Sequence, residues 1–322
     1  MVNENSYLDG LPLPDEPRLY IERQRRYAER LREELTGDPG NGIYQKRPRQ
    51  FYLSDRKKNL WPGITEDAIA YFREHDIRWW NGTKDKQPSG HMLSSQVACI
   101  NHLFPLRQRQ DMAIGFLKSL DKRFTAAVAY EGGYISFEVV GEENYLSEGS
   151  RKRGMCATSL DAFMIGLQGN RRIAVGIEWK YTEQYSVSRK KGNYAALLDR
   201  SDCPIRKLDD PMKLNYEPFY QLMRQTLLLW QMANRKAQGV SDWLHVHVVP
   251  EGNRELKERI TAPCLNLSQK DDDISAAWKR QLKDEAAGKF RSITPETLMA
   301  SSLTCPDTAT LAKYLKKRYW KK

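Results

Sequence analysis

The sequence predicts an α/β fold in which a β-sheet packs between helices. Runs of apolar and β-branched residues in the middle of the chain have the length and composition of buried strands. Stretches with apolar side chains every three or four residues, typical of amphipathic helices, lie before and after these runs. With 322 residues, of which 40% are hydrophobic, the chain can bury a sizeable core as one elaborated domain or two.

The N-terminal part of the chain is expected to be helical. Residues 1–17 are acidic and interrupted by prolines, which indicates an irregular lead-in. A charged helix is predicted over residues 18–35, and the turn-forming sequence GDPGNG of residues 37–42 ends it. A second helix is predicted over residues 64–80, where it ends on two tryptophans.

Helices and strands alternate in the central part of the chain. A helix is predicted over residues 91–104 and stops at Pro105, because proline breaks a helix. Strands over residues 124–130 and 134–140 are predicted to form a hairpin around the turn sequence EGG.

A long helix and a further strand complete the predicted sheet layer. Pro218 stands where the first turn of a helix tolerates proline, and the helix is expected to continue to near Gly239. The sequence WLHVHVV of residues 243–249 is predicted to be a strand that Pro250 closes.

Residues 171–183, with the sequence RRIAVGIEWKYTE, contain the most informative pattern. The turn signal Gly169-Asn170 precedes an apolar strand that ends in Glu178, Trp179 and Lys180. Because side chains alternate along a strand, Glu178 and Lys180 share one face, roughly 6.6 Å apart, while Trp179 points to the other. A carboxylate and an ammonium group therefore lie together at the end of a buried strand.

A second carboxylate stands in the preceding apolar segment. Asp161 is the single charge in TSLDAFMIG, residues 158–166, and charges seldom occupy such a run without a partner. If its strand neighbours that of Glu178, two carboxylates and Lys180 converge, as a magnesium-dependent phosphodiesterase requires. The alternative is an ordinary surface ion pair between Glu178 and Lys180.

Magnesium takes oxygen ligands from carboxylates, carbonyls and water. Asp161, Glu178 and the Trp179 carbonyl are the predicted ligands, and Mn²⁺ is the expected substitute for Mg²⁺. The metal would polarise the phosphate and lower the pKa of a bound water. Lys180 would orient that water or help to deprotonate it, and would offset charge on the phosphorane.

These motifs resemble the PD-(D/E)xK nuclease superfamily, whose fold is called restriction-endonuclease-like. The phrases HMLSSQVACINHLFPL, TSLDAF, GIEWKYTE and PFYQLMRQTLLLW, in that order, are similar to one bacterial subfamily of it. The resemblance covers roughly residues 91–250 and implies metal ligation by Asp161 and Glu178 and a catalytic Lys180. One departure is Leu160, which stands where the superfamily's name has proline.

The resemblance also implies the architecture. It predicts an αβββαβ core with a mixed central sheet flanked by helices, over residues 86–255. A helical, basic N-terminal extension (residues 1–85) and a helical, basic C-terminal extension (residues 256–322) are expected to flank this core.

Five further polar residues are candidates to support the site. Some superfamily members take an acidic residue from the first core helix, which contains none here, so Gln96, Glu138 and Glu148 are alternatives for that place. For Gln96, a packing or capping amide is an equally good interpretation. Gln221 and Gln225 resemble the glutamine that some members place beside the site on this later helix, and Gln221 is a candidate to contact the metal shell or a substrate phosphate.

The charge balance favours a polyanionic partner. Lys and Arg number 52 against 41 Asp and Glu, a net charge of +11, which promotes binding to phosphate groups. Basic clusters occupy residues 46–58, with Phe51 and Tyr52 between the charges, and residues 311–322. The candidate nucleic-acid contacts flank the two acid-bearing strands: Arg151, Lys152, Arg153, Arg189, Lys190 and Lys191.

Other classes of protein are not favoured. The five cysteines show no CxxC spacing, and His245 and His247 lack a third metal ligand in the sequence, so neither a disulfide framework nor a zinc site is expected. No segment approaches the ~20 apolar residues of a membrane span, and the start lacks a signal-peptide pattern. A cytoplasmic location is expected, with a homodimer or other subunits left open.

The sequence therefore predicts a magnesium-dependent nuclease with DNA as the expected substrate. Two alternatives stay open: a nucleic-acid-binding protein that keeps the fold without turnover, and a nuclease acting on RNA or branched DNA. No base-reading module is recognisable, so the sequence does not choose between DNA and RNA.

Overall fold

A mixed β-sheet of six strands forms the centre of the protein. The computed structural model describes residues 19–80, 86–154, 157–192, 194–265 and 273–320, and the lead-in expected over residues 1–17 lies outside them. The helices and strands follow in the order α1 (Tyr20–Thr36), β1 (Gly42–Tyr44), β2 (Arg47–Arg49), α2 (Thr65–Glu74), α3 (Ser95–Leu103), α4 (Gln110–Leu120), β3 (Ala126–Val128), β4 (Ser136–Val139), β5 (Leu160–Gln168), β6 (Arg171–Trp179), α5 (Ala195–Leu198), α6 (Phe219–Asn234), β7 (Val240–Val248), α7 (Arg254–Glu258), α8 (Ile274–Gln281), α9 (Asp284–Ala287), β8 (Phe290–Ile293), α10 (Pro295–Met299) and α11 (Ala309–Arg318).

The order of strands in the sheet is β3-β5-β6-β7-β8, and β4 also pairs with β5. Strands β5 and β6 form the antiparallel hairpin that the sequence predicts, with Gly169 at φ 59° in its two-residue turn. The next two pairings, β6 with β7 and β7 with β8, are parallel. The chain between β6 and β7 includes α6, as the long crossover between parallel strands requires. The predicted α/β class with a mixed sheet flanked by helices is thus confirmed.

The hairpin expected over residues 124–140 is wrong. Strand β3 pairs with residues 165–167 of β5, and β4 pairs with residues 160–163, so the two short strands follow one another along the same edge of β5. The turn signal is real, since Tyr130 and Gly133 form an isolated bridge. Long-range pairing with the buried strand β5 nevertheless determines where the two segments lie.

Two predicted helices end earlier than expected. Helix α2 ends at Glu74, because Asp76 has a φ of 47° and turns the chain so that Trp79 stacks on Phe72 at 3.9 Å between ring centroids. Helix α6 ends at Asn234, and two residues with positive φ, Lys236 and Gln238, lead directly into β7.

The predicted extensions contain strands as well as helices. The hairpin of β1 and β2 lies within the N-terminal part, and β8 of the C-terminal part joins the central sheet beside β7. Tyr20 of α1 and Leu315 of α11 belong to the same hydrophobic cluster as Val175 of β6. The expected division into three regions stays a prediction.

Side chains alternate between two hydrophobic layers on either face of β6. Ile173, Val175 and Ile177 belong to the layer shared with α3 and α4, whereas Ala174 belongs to the layer shared with α6. None of the helices in the described residues combines the length and the apolar composition needed to cross a bilayer.

Candidate active site

The ends of β5 and β6 bring the two predicted carboxylates together. Ala162 of β5 pairs with Ile177 of β6, so extending this register by one residue sets Asp161 opposite Glu178. Lys180 follows β6 directly, and its backbone N–H donates to the carbonyl of Val248 at 2.8 Å. This bond continues the ladder between β6 and β7 and fixes the direction of the Lys180 side chain.

Asp161, Glu178 and Lys180 line one cavity of about 520 Å³. Its walls also come from the first turns of α3 and α6 and from the segment after β6, which contributes Glu183 and Tyr185. The cavity is therefore formed where two strand ends meet two helix beginnings. A concave, mostly preformed space with a few convergent polar groups is typical of a ligand site.

Asp161 is partly exposed to this cavity and is held by the backbone of the neighbouring strand. Its Oδ2 accepts a hydrogen bond from the Trp179 N–H at 2.7 Å. The Trp179 indole points to the other face of the sheet, as the alternation predicts, and packs against His102 at 4.6 Å between ring centroids.

Glu178 and Lys180 are almost fully buried, with relative exposures of 1% and 4%. The Lys180 ammonium forms an ion pair with Glu178 Oε1 and donates to Gln221 Oε1 at 2.6 Å. Gln225 Nε2 donates to Glu178 Oε2. Gln221 and Gln225 lie one helical turn apart, so α6 presents both amides to the pair from the same face.

Three carboxylates and one cation determine the electrostatics of the site. Burial, followed by the charges of Glu178 and Glu138, raises the pKa of Asp161 well above its usual range. Burial also raises the pKa of Glu178 and that of Glu138. For Lys180, burial lowers the pKa, but the charges of Glu178, Tyr185, Glu183 and Asp161 together outweigh this effect and the net pKa is raised.

A chain of hydrogen bonds fixes the orientation of Gln225. Its Nε2 also donates to the Ser159 carbonyl at 2.9 Å, which makes Oε1 the acceptor for His245 Nε2 at 3.3 Å. His245 must then carry its proton on Nε2, and its Nδ1 accepts from Thr226 Oγ1 at 2.9 Å. Burial lowers the pKa of His245 to about 3, which keeps the ring neutral.

Gln96 and Glu138 form a separate buried network beside the cavity. Gln96, on the first turn of α3, donates from Nε2 to Glu138 Oε1 at 2.7 Å, and Trp80 Nε1 donates to the same oxygen at 2.9 Å. Ser159 Oγ donates to Glu138 Oε2 at 2.9 Å. Gln96 lines the cavity wall, whereas Glu138 acts on Asp161 through its charge.

Glu148 lies next to the cavity and is held by three neighbours. It accepts from the Thr158 N–H at 2.6 Å and from the Tyr194 hydroxyl at 2.7 Å, and Arg224 lies 3.4 Å away. Since Glu148 lines two neighbouring depressions rather than the main cavity, the structure does not bring it together with Asp161.

The six predicted basic contacts divide into different environments. Arg151, Lys152, Arg189, Lys190 and Lys191 are exposed. Lys190 lines the cavity, with its ammonium 3.9 Å from Glu217. Arg153 differs, because its guanidinium forms an internal ion pair with Glu131 at 2.8 Å and its side chain is only 15% exposed.

Several residues at the cavity were not predicted. Glu217 precedes the first turn of α6, and its Oε2 accepts from the Gln221 N–H at 3.2 Å. Arg224 lies on the face of α6 that also presents Gln221 and Gln225, and its Nε donates to Thr158 Oγ1 at 2.7 Å. The helical spacing could have identified Arg224, whereas Glu217 reaches the cavity only through the path of the loop before α6.

The donor set fits a hard divalent cation. In the described residues no group of three or more His, Cys, Asp or Glu side chains has metal-binding geometry, so side chains supply fewer ligands than a closed structural site. Two cavity-lining carboxylates whose pKa values are both raised, chiefly by burial, nonetheless match a metal that keeps several waters and takes one or two protein carboxylates.

The comparison with known families agrees with this geometry. The model of a family described as restriction endonuclease associating with ARP matches residues 23–320. No curated protein and no solved structure shows a significant match to the chain. The family's description indicates a nuclease with DNA as substrate. The chain therefore belongs to this restriction-endonuclease-like family.

Proposed function

We propose that this protein is a magnesium-dependent nuclease that hydrolyses phosphodiester bonds in DNA. The observation that carries the proposal is the convergence of Asp161, Glu178 and Lys180 in one cavity at adjacent strand ends. The family description and the net charge of +11 support a nucleic-acid substrate.

We assign the catalytic unit to a PD-(D/E)xK core. The order α3, the edge segments β3 and β4, β5, β6, α6 and β7 supports this assignment if the two edge segments count as one interrupted strand. Helix α4, inserted between α3 and β3, and strand β8, beyond β7, are then additions to that core.

Asp161, Glu178 and the Trp179 carbonyl would hold Mg²⁺, with Mn²⁺ as a substitute. When bound, such an ion polarises a phosphate oxygen and lowers the pKa of a coordinated water. Asp161 is oriented by the Trp179 N–H, and Glu178 is oriented by Gln225, so both carboxylates are preorganised by the protein.

Lys180 would stabilise negative charge on the phosphorane and orient the attacking water. Because its pKa is raised beside Glu178, the ammonium remains protonated in this arrangement, which favours an electrostatic role over that of a base. Gln221 fixes the ammonium from α6, and Lys190 and Arg224 at the wall are placed to meet a flanking phosphate.

The decisive experiment compares cleavage of linear, circular, single-stranded and branched DNA and of RNA, with Mg²⁺, Mn²⁺ or EDTA. We expect metal-dependent cleavage of DNA by the wild type and its loss in Asp161→Ala and Lys180→Ala. A Lys118→Gln variant, altered at an exposed position away from the cavity, serves as the matched control and should retain activity.

Two results would replace this proposal. Cleavage of RNA or of branched DNA alone would transfer the same site to that substrate. If the folded wild type binds DNA but cleaves no substrate, and the mutations leave binding unchanged, the protein is a nucleic-acid-binding protein that retains a nuclease fold.

A further inference from the structure

The β1–β2 hairpin has a strained tip that carries charge. Its two turn residues, Gln45 and Lys46, have φ values of 50° and 63°, in the left-handed region. A two-residue hairpin turn of this kind normally uses Asn-Gly, because side chains other than glycine are disfavoured there.

The hairpin carries exposed side chains and is packed against the rest of the protein beside its turn. Ile43 is 65% exposed, and Lys46 and Arg47 also lie on the surface. Directly before the turn, the Tyr44 ring stacks on Tyr52 at 5.5 Å and meets the His91 ring at 4.9 Å, both measured between centroids. The tip is therefore held in a fixed direction by packed aromatic rings.

The base of the hairpin, where the Gly42 N–H donates to the Tyr52 carbonyl at 2.9 Å, connects it to the wall of the candidate active site. His91 forms a bridge with Tyr52, and four residues later Ser95 begins α3 and lines the cavity. Four residues span at most about 14 Å. The base of the hairpin is thus within one short chain segment of the catalytic cavity.

The charge of the hairpin is not compensated by the rest of the described chain. Lys46, Arg47 and Arg49 form no ion pair with any described residue, and the sequence from Gly42 to Tyr52 contains no Asp or Glu. By contrast, three exposed arginines elsewhere pair with an acid two residues away: Arg109 with Asp111, Arg123 with Asp121 and Arg200 with Asp202. A cationic hairpin of this kind complements a polyanion.

We propose that the β1–β2 hairpin, residues 42–49, is an arm that contacts duplex DNA beside the catalytic cavity. The major groove admits a two-stranded β-ribbon, so the hairpin matches the groove in shape while Lys46, Arg47 and Arg49 reach the phosphates. The proposal deepens the proposed function and rests on DNA being the substrate.

The first test measures binding of a labelled DNA duplex in EDTA, where no turnover occurs, over a series of NaCl concentrations. Lys46→Gln combined with Arg47→Gln should lower affinity roughly tenfold or more and reduce the slope of log K against log salt by about 2, near 0.9 per lost contact. Lys118→Gln with Lys122→Gln, exposed near the opposite end of β5, is the matched control and should change neither.

A second variant separates the charge from the conformation of the turn. Gln45→Asn with Lys46→Gly supplies the preferred turn sequence and removes one cation. We expect its melting temperature to equal or exceed that of the wild type, while its duplex affinity falls and its salt slope decreases by about 1.

The outcomes distinguish this proposal from the proposed function. If the wild type cleaves DNA with metal but both hairpin variants bind duplex like the control, the arm is refuted and the nuclease stands. An equal loss of affinity for single strands and for duplex would also overturn it, because the groove would then have no part. Failure of the wild type both to bind duplex in EDTA and to cleave DNA with metal would refute both.

Discussion

Two largely buried clusters of this protein each combine acidic side chains with one cation, yet the pKa values of their acids shift in opposite directions. In the Glu131 cluster, formed by Glu131, Arg153 and Tyr71, the guanidinium contacts the carboxylate through two bonds, of 2.8 and 3.0 Å. The Tyr71 hydroxyl donates to the same carboxylate at 2.8 Å. Burial alone would raise the pKa of Glu131, but the hydrogen bonds and charge of Arg153, together with the Tyr71 hydrogen bond and the His75 charge, outweigh it and the pKa is lowered.

The Asp161 cluster, formed by Asp161, Glu178 and Lys180, is incompletely compensated. One ammonium faces two carboxylates, with the charge of Glu138 nearby, and the pKa values of the acids are raised. A paired and hydrogen-bonded buried charge supports the fold, whereas an uncompensated one costs stability and marks a functional site. The contrast separates a compensated ion pair from a group of acids whose charge the neighbouring side chains do not balance.

The largest expected effect comes from neutralising Asp161. Asp161→Asn keeps an oxygen for the Trp179 N–H but removes the charge, and we expect metal-dependent cleavage to fall by about 10³-fold. The melting temperature in EDTA should equal or exceed that of the wild type, since the substitution removes repulsion. A much lower melting temperature would show instead that the Asp161 charge stabilises the fold, as the Glu131 charge is expected to do.

The opposite result is expected for the Glu131 cluster. Glu131→Gln leaves the Arg153 guanidinium buried without its countercharge and should lower the free energy of unfolding by about 2–4 kcal/mol. Denaturant unfolding measures this change. Cleavage per folded molecule should remain at the wild-type level. A loss of activity without loss of stability would contradict the view that the Glu131 cluster supports the fold and takes no part in the reaction.

An intermediate effect on cleavage is expected from Gln225, whose amide contacts the Glu178 carboxylate. Gln225→Ala removes the amide that orients Glu178, and we expect about a 10- to 100-fold loss of cleavage. Thr226→Val, which leaves His245 Nδ1 without its donor, should have a smaller effect in the same direction. An unchanged rate at saturating metal for both variants would show that the chain of hydrogen bonds does not position Glu178.

The pH dependence of stability should differ between the clusters. Asp161 has a pKa above its ordinary 3.8, so the folded state binds its proton more tightly and stability in EDTA falls as pH rises through the folded pKa. Glu131 has a pKa below its ordinary 4.5, so its contribution is present above that pH and lost as pH falls through the lowered pKa. In Asp161→Asn, the melting temperature should therefore change less with pH than that of the wild type above about pH 4. In Glu131→Gln, it should change less with pH than that of the wild type below about pH 4.

The smallest effect is expected from Arg151, an exposed residue outside both clusters. Arg151 lies two residues before Arg153 in the same basic run, yet it is exposed and donates to the Gly141 carbonyl at 2.8 Å. Arg151→Gln should weaken duplex binding a few-fold and reduce the salt slope by about 1, with no change in melting temperature. Destabilisation by this variant would show that the run acts as one structural unit.

Much of the candidate site could be predicted because it depends on local chain properties. The turn signal Gly169-Asn170 and the alternation along residues 160–179 determine which side chains share a face, and a two-residue turn fixes the register of β5 and β6. The helical spacing of Gln221 and Gln225 likewise predicts that both amides lie on one face of α6.

The parts that could not be predicted depend on contacts between distant segments. Arg153 and Arg151 are equivalent in the sequence, and only the packing of α2 against the chain after β3 places Glu131 and Tyr71 around one of them. His245 shows no signal in the sequence for its contact with Gln225, because that contact requires β7 to lie parallel to β6 beneath α6.

The sequence by itself determined that a buried hairpin ends in two carboxylates and a lysine, since strand alternation and turn chemistry act over a few residues. The tertiary structure alone decided which charges are compensated: Glu131 meets Arg153, while Asp161 meets Glu178 and the charge of Glu138. Burial strengthens the interaction of each charge with the groups around it, and those groups come from segments far apart in the chain.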